Sequence, residues 1–277
     1  MKRKIIRTLS LLLAFILINC TNVFAYAPGD GVYDPGSSDF YNAGRENNDV
    51  DSVLSITPEF AEQIAAKEAS LLQTDSSKAT SYASSCFISN IVQYPQETSY
   101  YCGPAAVKSI LSGVGNTTVT QSTLAGSSYL KTSVYGNTPW YITNGSSTSD
   151  YPAYNTLHAF TTYNYYPYPY GTLGTPPTST GLSLRIKQTT SYGYGVLACG
   201  ESQASYSHAS HMPGYPTSSN IGHWVAVNGY MDDGNTIWIV DPISGSSAIS
   251  WSGNVSAYYT VTLTKFTAFV APRGIFW

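Results

Sequence analysis

Gly222-His-Trp-Val-Ala-Val-Asn-Gly-Tyr230, Met231-Asp-Asp-Gly-Asn235 and Thr236-Ile-Trp-Ile-Val-Asp-Pro242 follow one another without a break. The first and third segments alternate with the period of two of a strand and are rich in Val, Ile and Trp. The five residues between them carry the Asp, Gly and Asn that a tight reversal needs, so the stretch predicts an antiparallel hairpin. Closing the hairpin at that turn brings His223 and Asp241 to the same open end. With arms of equal length they come out nearly opposite each other, within side-chain reach. Asp241 can then hold the imidazole Nδ1–H, leaving the other ring nitrogen to face a third group.

A candidate for that group lies upstream, in Gln96-Glu-Thr-Ser-Tyr-Tyr-Cys102-Gly-Pro-Ala105. Ala105, Ala106, Val107, Ile110 and Leu111 predict a helix from Cys102 to about Gly113, with Pro104 in the first turn, where its missing N–H costs nothing. A helix start presents unpaired N–H groups and the positive end of the macrodipole, and both favour a thiolate. Gln96 can return a side-chain amide to the same spot as an oxyanion donor. Each residue has a plain structural alternative: a core cysteine, a satisfied histidine, a strand-ending Asp-Pro. Their joint occurrence points to a nucleophile, a base, an orienter and an oxyanion donor.

The ends of the chain read differently. Lys2, Arg3, Lys4 and Arg7, the apolar run Leu9–Ile18, and Val23-Phe-Ala25 or Ala25-Tyr-Ala27 make residues 1–27 a secretory signal peptide. Removing it leaves nine basic against sixteen acidic residues, a net charge of −7. Residues 28–80 alone carry ten acids against Arg45, Lys67 and Lys78. They form an acidic linker or propeptide-like segment, with one helix at about 57–73 signalled by Thr57-Pro-Glu59. A propeptide over the active site and a spacer with a docked helix both fit. Residues 81–277 hold six charges of each sign, with no basic stripe for nucleic acid. That length suffices for one well-cored domain. A secreted protein without stable membrane insertion is expected, and its oligomeric state is open.

Within that domain, Phe87–Val92 and Tyr194–Gly200 read as strands, and Gln121–Leu130 and Gly181–Gln188 as helices. Tyr163-Asn-Tyr-Tyr-Pro-Tyr-Pro-Tyr170 has Pro at alternate positions, which excludes a central strand. It is either a packed irregular loop or a binding surface. Cys86 and Cys199, left once Cys20 is cleaved off and Cys102 is set aside, could pair or stay reduced and buried. His208 and His211 lie in a polar loop with no Cys, Asp or Glu near enough in sequence to complete a metal set, and read as solvent-exposed. No metal or cofactor is expected.

The set Gln96-x5-Cys102-Gly-Pro-Ala-Ala, Gly222-His-Trp-Val-Ala-Val-Asn-Gly-Tyr and Ile239-Val-Asp-Pro242 resembles the C39-like cysteine peptidases, relatives of bacteriocin-processing peptidase domains. The resemblance runs in order over residues 85–265, although only three short motifs within it are specific. It implies a papain-like α+β fold, an N-terminal Cys-bearing helix packed on an antiparallel β-sheet that carries His and Asp. It also implies Cys102 as nucleophile, His223 as base and then acid, Asp241 as orienter, Gln96 as oxyanion donor, and a peptide or protein as substrate. The best-understood relatives cut after Gly-Gly and are fused to a transporter. This sequence shows neither a transmembrane segment nor a nucleotide-binding P-loop, so that substrate does not carry over. A cell-wall peptide amidase or transpeptidase on the same site, and a non-catalytic module, are the alternatives.

Overall fold

A computed structural model of the chain describes residues 58–77, 82–143, 149–169 and 176–277. The signal peptide, the first part of the acidic segment (28–57, with Thr57) and Tyr170 lie outside the described residues. In chain order the helices are α1 (Pro58–Ser77), α2 (Cys102–Gly113), α3 (Gln121–Ala125), α4 (Thr132–Tyr135), α5 (Pro152–Phe160), α6 (Ser179–Ser191) and α7 (Leu263–Val270). The strands are β1 (Cys86–Phe87), β2 (Ile142–Thr143), β3 (Ser149–Asp150), β4 (Pro167–Tyr168), β5 (Val196–Ser202), β6 (Ile221–Met231), β7 (Thr236–Val240), β8 (Tyr258–Thr262) and β9 (Gly274–Phe276).

Seven strands form one antiparallel sheet in the order β4-β9-β5-β6-β7-β8, with β1 added beside the end of β6. The alternation of β5 and β6 now has a physical meaning. Leu197, Cys199, Trp224 and Ala226 enter one core with α2 and α5. Val196, Ala198, Val225 and Val227 enter the other with α6 and α7. The sheet is therefore covered on both faces, and β6 is buried from Ile221 to Tyr230. This is the α+β arrangement that the resemblance implied, with the Cys-bearing helix on the sheet.

The hairpin forms, but its arms are not in simple register. Ala226 faces Val240, whereas Gly229 faces Trp238, so Asn228 is the extra residue of a β-bulge. Gly229 is needed there because a β-carbon would stand 2.2 Å from the Cys86 carbonyl oxygen. One more step of the ladder would put Asp241 opposite Val225. His223 is thus its diagonal neighbour on the same face, two residues along, rather than its direct partner.

Other expectations shift at their edges. The strand read at Phe87–Val92 shortens to Cys86–Phe87, because Ile91 N–H turns back to the Ile88 carbonyl. The helix read at Gln121–Leu130 stops at Ala125, where Gly126 turns extended. α1 runs longer than expected, to Ser77. The tyrosine run packs: Tyr165 and Tyr166 are buried, and Pro167–Tyr168 sits on the sheet edge, where proline is tolerated. His211 is buried, with Nδ1 at 2.7 Å from the Gln203 carbonyl, because the loop folds inward there; His208 is exposed as expected.

No disulfide joins Cys86, Cys102 and Cys199, and all three are buried. Cys86 faces Tyr230 and Cys199 faces Trp224, both across the same side of β6. Six residues of strand separate those partners, roughly 20 Å, far beyond the reach of a disulfide. Among the described residues no helix is long and apolar enough to cross a membrane.

Candidate active site

Cys102 is the first residue of α2 and has no exposed surface. No side chain caps this helix. In the first turn, Ala105 N–H bonds back to the Tyr101 carbonyl at 3.0 Å, and Pro104 has no N–H. The N–H groups of Cys102 and Gly103 have no partner among the described residues, the condition in which a helix start attracts negative charge. Gly103 allows the approach that seats this end. A β-carbon there would stand 2.2 Å from Thr138 Oγ1. Thr138 is itself fixed by Thr132 Oγ1 at 2.8 Å and by Trp224 Nε1, which donates to its carbonyl at 3.1 Å. The helix start is wedged against β6.

His223 and Asp241 are also fully buried, and His223 Nε2 lies 3.1 Å from Asp241 Oδ1. The expectation that Nδ1 would meet Asp241 is corrected. Nε2, the nitrogen farther from the backbone, spans the diagonal that the bulge creates. Nδ1 has no hydrogen-bond partner among the described residues, and the Cys102 sulfur is near enough to favour the imidazolium.

Asp241 is held from four sides. Oδ1 also accepts the Ile243 N–H at 2.9 Å, and Oδ2 accepts the hydroxyls of Tyr215 and Tyr259, both at 2.8 Å. Burial works against its charge, but the facing imidazolium and these donors outweigh it and hold the carboxyl below its ordinary pKa. Burial likewise opposes charge on His223, yet Asp241, with Cys102 adding to it, pushes that pKa up to about 9. Burial first, and then the Asp241 charge, keep both tyrosines protonated well above their ordinary value.

A stability profile follows from these signs. The His223 contribution is complete below its unfolded pKa of about 6.5 and disappears as pH rises through about 9. The Asp241 contribution is present above about 4 and is lost on further acidification. The urea midpoint is expected to hold steady from about pH 5 to 6.5 and decline toward pH 9. A midpoint unchanged between pH 6.5 and 9 would contradict the buried imidazolium.

Gln96 is buried, and its backbone is stitched beside Asp241. Its N–H donates to the Pro242 carbonyl at 2.8 Å, and its carbonyl accepts Ser246 Oγ at 2.7 Å. Its Nε2 donates to the Thr98 carbonyl at 2.8 Å, curling the loop that leads into Cys102. Two further glutamines brace this loop. Gln93 Nε2 donates to the carbonyls of Asp241 and Ser244, both at 2.9 Å. Gln121 donates to the Pro95 carbonyl at 2.7 Å and accepts the Glu97 N–H at 3.0 Å.

The structure thus gathers Cys102, His223 and Asp241, and ties Gln96 to the strand end next to them. Sequence reading missed Tyr215, Tyr259, Gln93 and Gln121. Tyr259 had a signal in the alternation of Tyr258–Thr262. Tyr215 had none, because it lies in an irregular loop.

A model of the Peptidase_C39 like family matches residues 88–263. The chain belongs to that family. The Peptidase_C39 like match spans the Gln96 loop, α2, the hairpin and β8, and so takes in every residue of the buried cluster. Among solved structures the chain is similar to xylellain, a cysteine protease from Xylella fastidiosa. The identity is 12%, the TM-score 0.41, and the match covers 85% of this chain and 96% of that one. Comparison with curated protein sequences gives no match. Membership of the Peptidase_C39 like family makes this a cysteine-protease-like protein.

Proposed function

We propose that the protein is an exported cysteine peptidase that hydrolyses peptide bonds through Cys102, His223, Asp241 and Gln96. One observation carries the reading. His223, with Nε2 3.1 Å from the Asp241 carboxylate, and Cys102, at an uncapped helix start and near enough to favour charge on the imidazole, are all out of water. An imidazole oriented by a carboxylate beside a sulfur is the arrangement with which thiol peptidases activate their nucleophile.

In this reading the Cys102 sulfur attacks the scissile carbonyl carbon. The oxyanion is held by the Cys102 backbone N–H and by the Gln96 Nε2 hydrogen not used on Thr98. His223 Nδ1–H protonates the leaving amine, leaving a thioester on Cys102. Neutral Nδ1 then takes a proton from water, the resulting hydroxide attacks the thioester, and the thiolate departs with the imidazolium restored. Asp241 keeps Nε2 as the donor throughout.

Helix α1 is read as a docked helix rather than a plug over the site. Phe60 of α1 stacks on Tyr151 at 5.8 Å, and Lys67 Nζ sits 4.0 Å over the Trp277 ring. Glu68 pairs with Arg185. These partners gather about the β4–β9 edge and α6, away from the β6–β7 end that holds His223 and Asp241.

Cleavage profiling of the exported protein on a mixed peptide library, beside purified peptidoglycan, tests the proposal. Cleavage within library peptides is expected, and Gln96→Ala should slow it by roughly a hundredfold or more. Action on peptidoglycan alone would move the chemistry to a cell-wall amidase or transpeptidase. Action on neither would leave a binding module.

A further inference from the structure

We propose that Tyr215 is a positioning residue, which carries the seating of the 203–220 loop into the aim of the Asp241 carboxylate and hence into the His223–Cys102 pair. The inference rests on the peptidase reading above.

Asp241 Oδ2 has two hydroxyl donors of different origin. Tyr259 comes from β8, where it faces Ile239 in a regular ladder, so its place is fixed by the sheet. Tyr215 comes from the long loop between β5 and β6, which has no ladder of its own. A carboxylate with one donor on Oδ2 can still swing, because its terminal torsion is broad. With both hydroxyls on Oδ2 and the Ile243 N–H on Oδ1, the lone pair aimed at Nε2 is fixed.

Tyr215 also touches the base directly. Its ring stands edge-on to His223 at 5.9 Å and leans on Trp251 at 5.2 Å. Both contacts depend on where the loop sits, and the loop is fastened at several points. Met212 N–H donates to Ser202 Oγ at 2.9 Å on β5, and Lys265 Nζ donates to the His211 carbonyl at 2.6 Å from α7. Gly214, at φ +77°, lies so close to Asn254 that a β-carbon would stand 2.1 Å from its carbonyl oxygen. A loop lifted from these holds takes the Tyr215 hydroxyl with it.

The titratable groups facing Asp241 are His223 from β6, Tyr259 from β8 and Tyr215 from the loop, with Cys102 of α2 beyond His223. The Tyr215 ring also lies near His223 and Cys102, but loss of its hydroxyl alone is felt at the thiol through Asp241. That restriction makes the proposal testable without knowing the substrate.

The test is the rate at which iodoacetamide alkylates Cys102 at pH 6, measured for the wild type, Tyr215→Phe, Tyr259→Phe, Asp241→Asn and the Tyr215→Phe/Asp241→Asn double variant. Tyr215→Phe keeps the ring and its packing and is expected to slow alkylation by about three- to tenfold, up to about one pKa unit in the ion pair. Tyr259→Phe is expected to slow it less, because the β8 ladder still fixes that side of the carboxylate, whereas the Tyr215 hydroxyl is what ties the loop to Asp241. The double variant should match Asp241→Asn alone. Additive losses would make Tyr215 a structural residue and overturn the proposal. So would an unchanged rate in Tyr215→Phe, or equal losses for the two tyrosines. A wild-type Cys102 no faster than an ordinary thiol at pH 6 would instead overturn the thiolate–imidazolium reading itself, a result separable from the others.

Discussion

Cys102→Ala is expected to remove peptide turnover altogether, a loss on the order of a millionfold by analogy with the removal of a serine nucleophile. The fold should barely notice. The substitution deletes one buried sulfur from a helix otherwise packed by Ala105, Ala106, Val107, Ile110 and Leu111, and should cost about 1 kcal/mol. It also removes one of the two influences that favour the imidazolium, so the His223 pKa should fall from about 9 while Asp241 still holds it. Turnover on the best library peptide, with a thermal melt and a His223 NMR titration on the same variant, reads all three effects. More than about 1% residual turnover would remove Cys102 from the role of nucleophile.

Asp241→Ala is expected to damage stability and activity together. It strands the His223 Nε2, the hydroxyls of Tyr215 and Tyr259, and the Ile243 N–H in a site with no exposed surface. Removing one member of a buried ion pair costs roughly 3–5 kcal/mol. The pH profile should change as well. Burial is the largest single influence on His223, and without Asp241 it goes mostly unopposed, so the alkaline limit of turnover should fall from about pH 9 to below the ordinary histidine value. Asp241→Asn should keep more of the stability, since an amide can still accept from His223, but should show the same direction of shift. A destabilisation under 1 kcal/mol, or an alkaline limit that stays near pH 9, would contradict the account.

How much of this was legible depended on whether a residue sits in a periodic element. Cys102, His223 and Asp241 announce themselves because helix starts and hairpins impose spacing on the chain. The pairing of His223 with Asp241 was legible for an incomplete reason. Their closeness was read from equal hairpin arms, whereas the Asn228 bulge makes them diagonal neighbours and turns Nε2, not Nδ1, toward the carboxylate. A bulge leaves almost no trace in composition beyond the glycine that follows it. Gln96 was legible from its distance to Cys102, but its bracing by Gln93 and Gln121 was not, because those bonds join residues far apart in sequence through backbone carbonyls. Tyr215 and the buried His211 were hidden for another reason: an irregular loop has no period from which burial can be read.

The burial of Cys102 bears on how long its sulfur can stay reduced. An exposed thiolate that meets oxygen or peroxides climbs through sulfenic to irreversible acids. Here the sulfur shows no surface. The wear on a sulfur so placed would follow how often it is uncovered rather than how reactive it is.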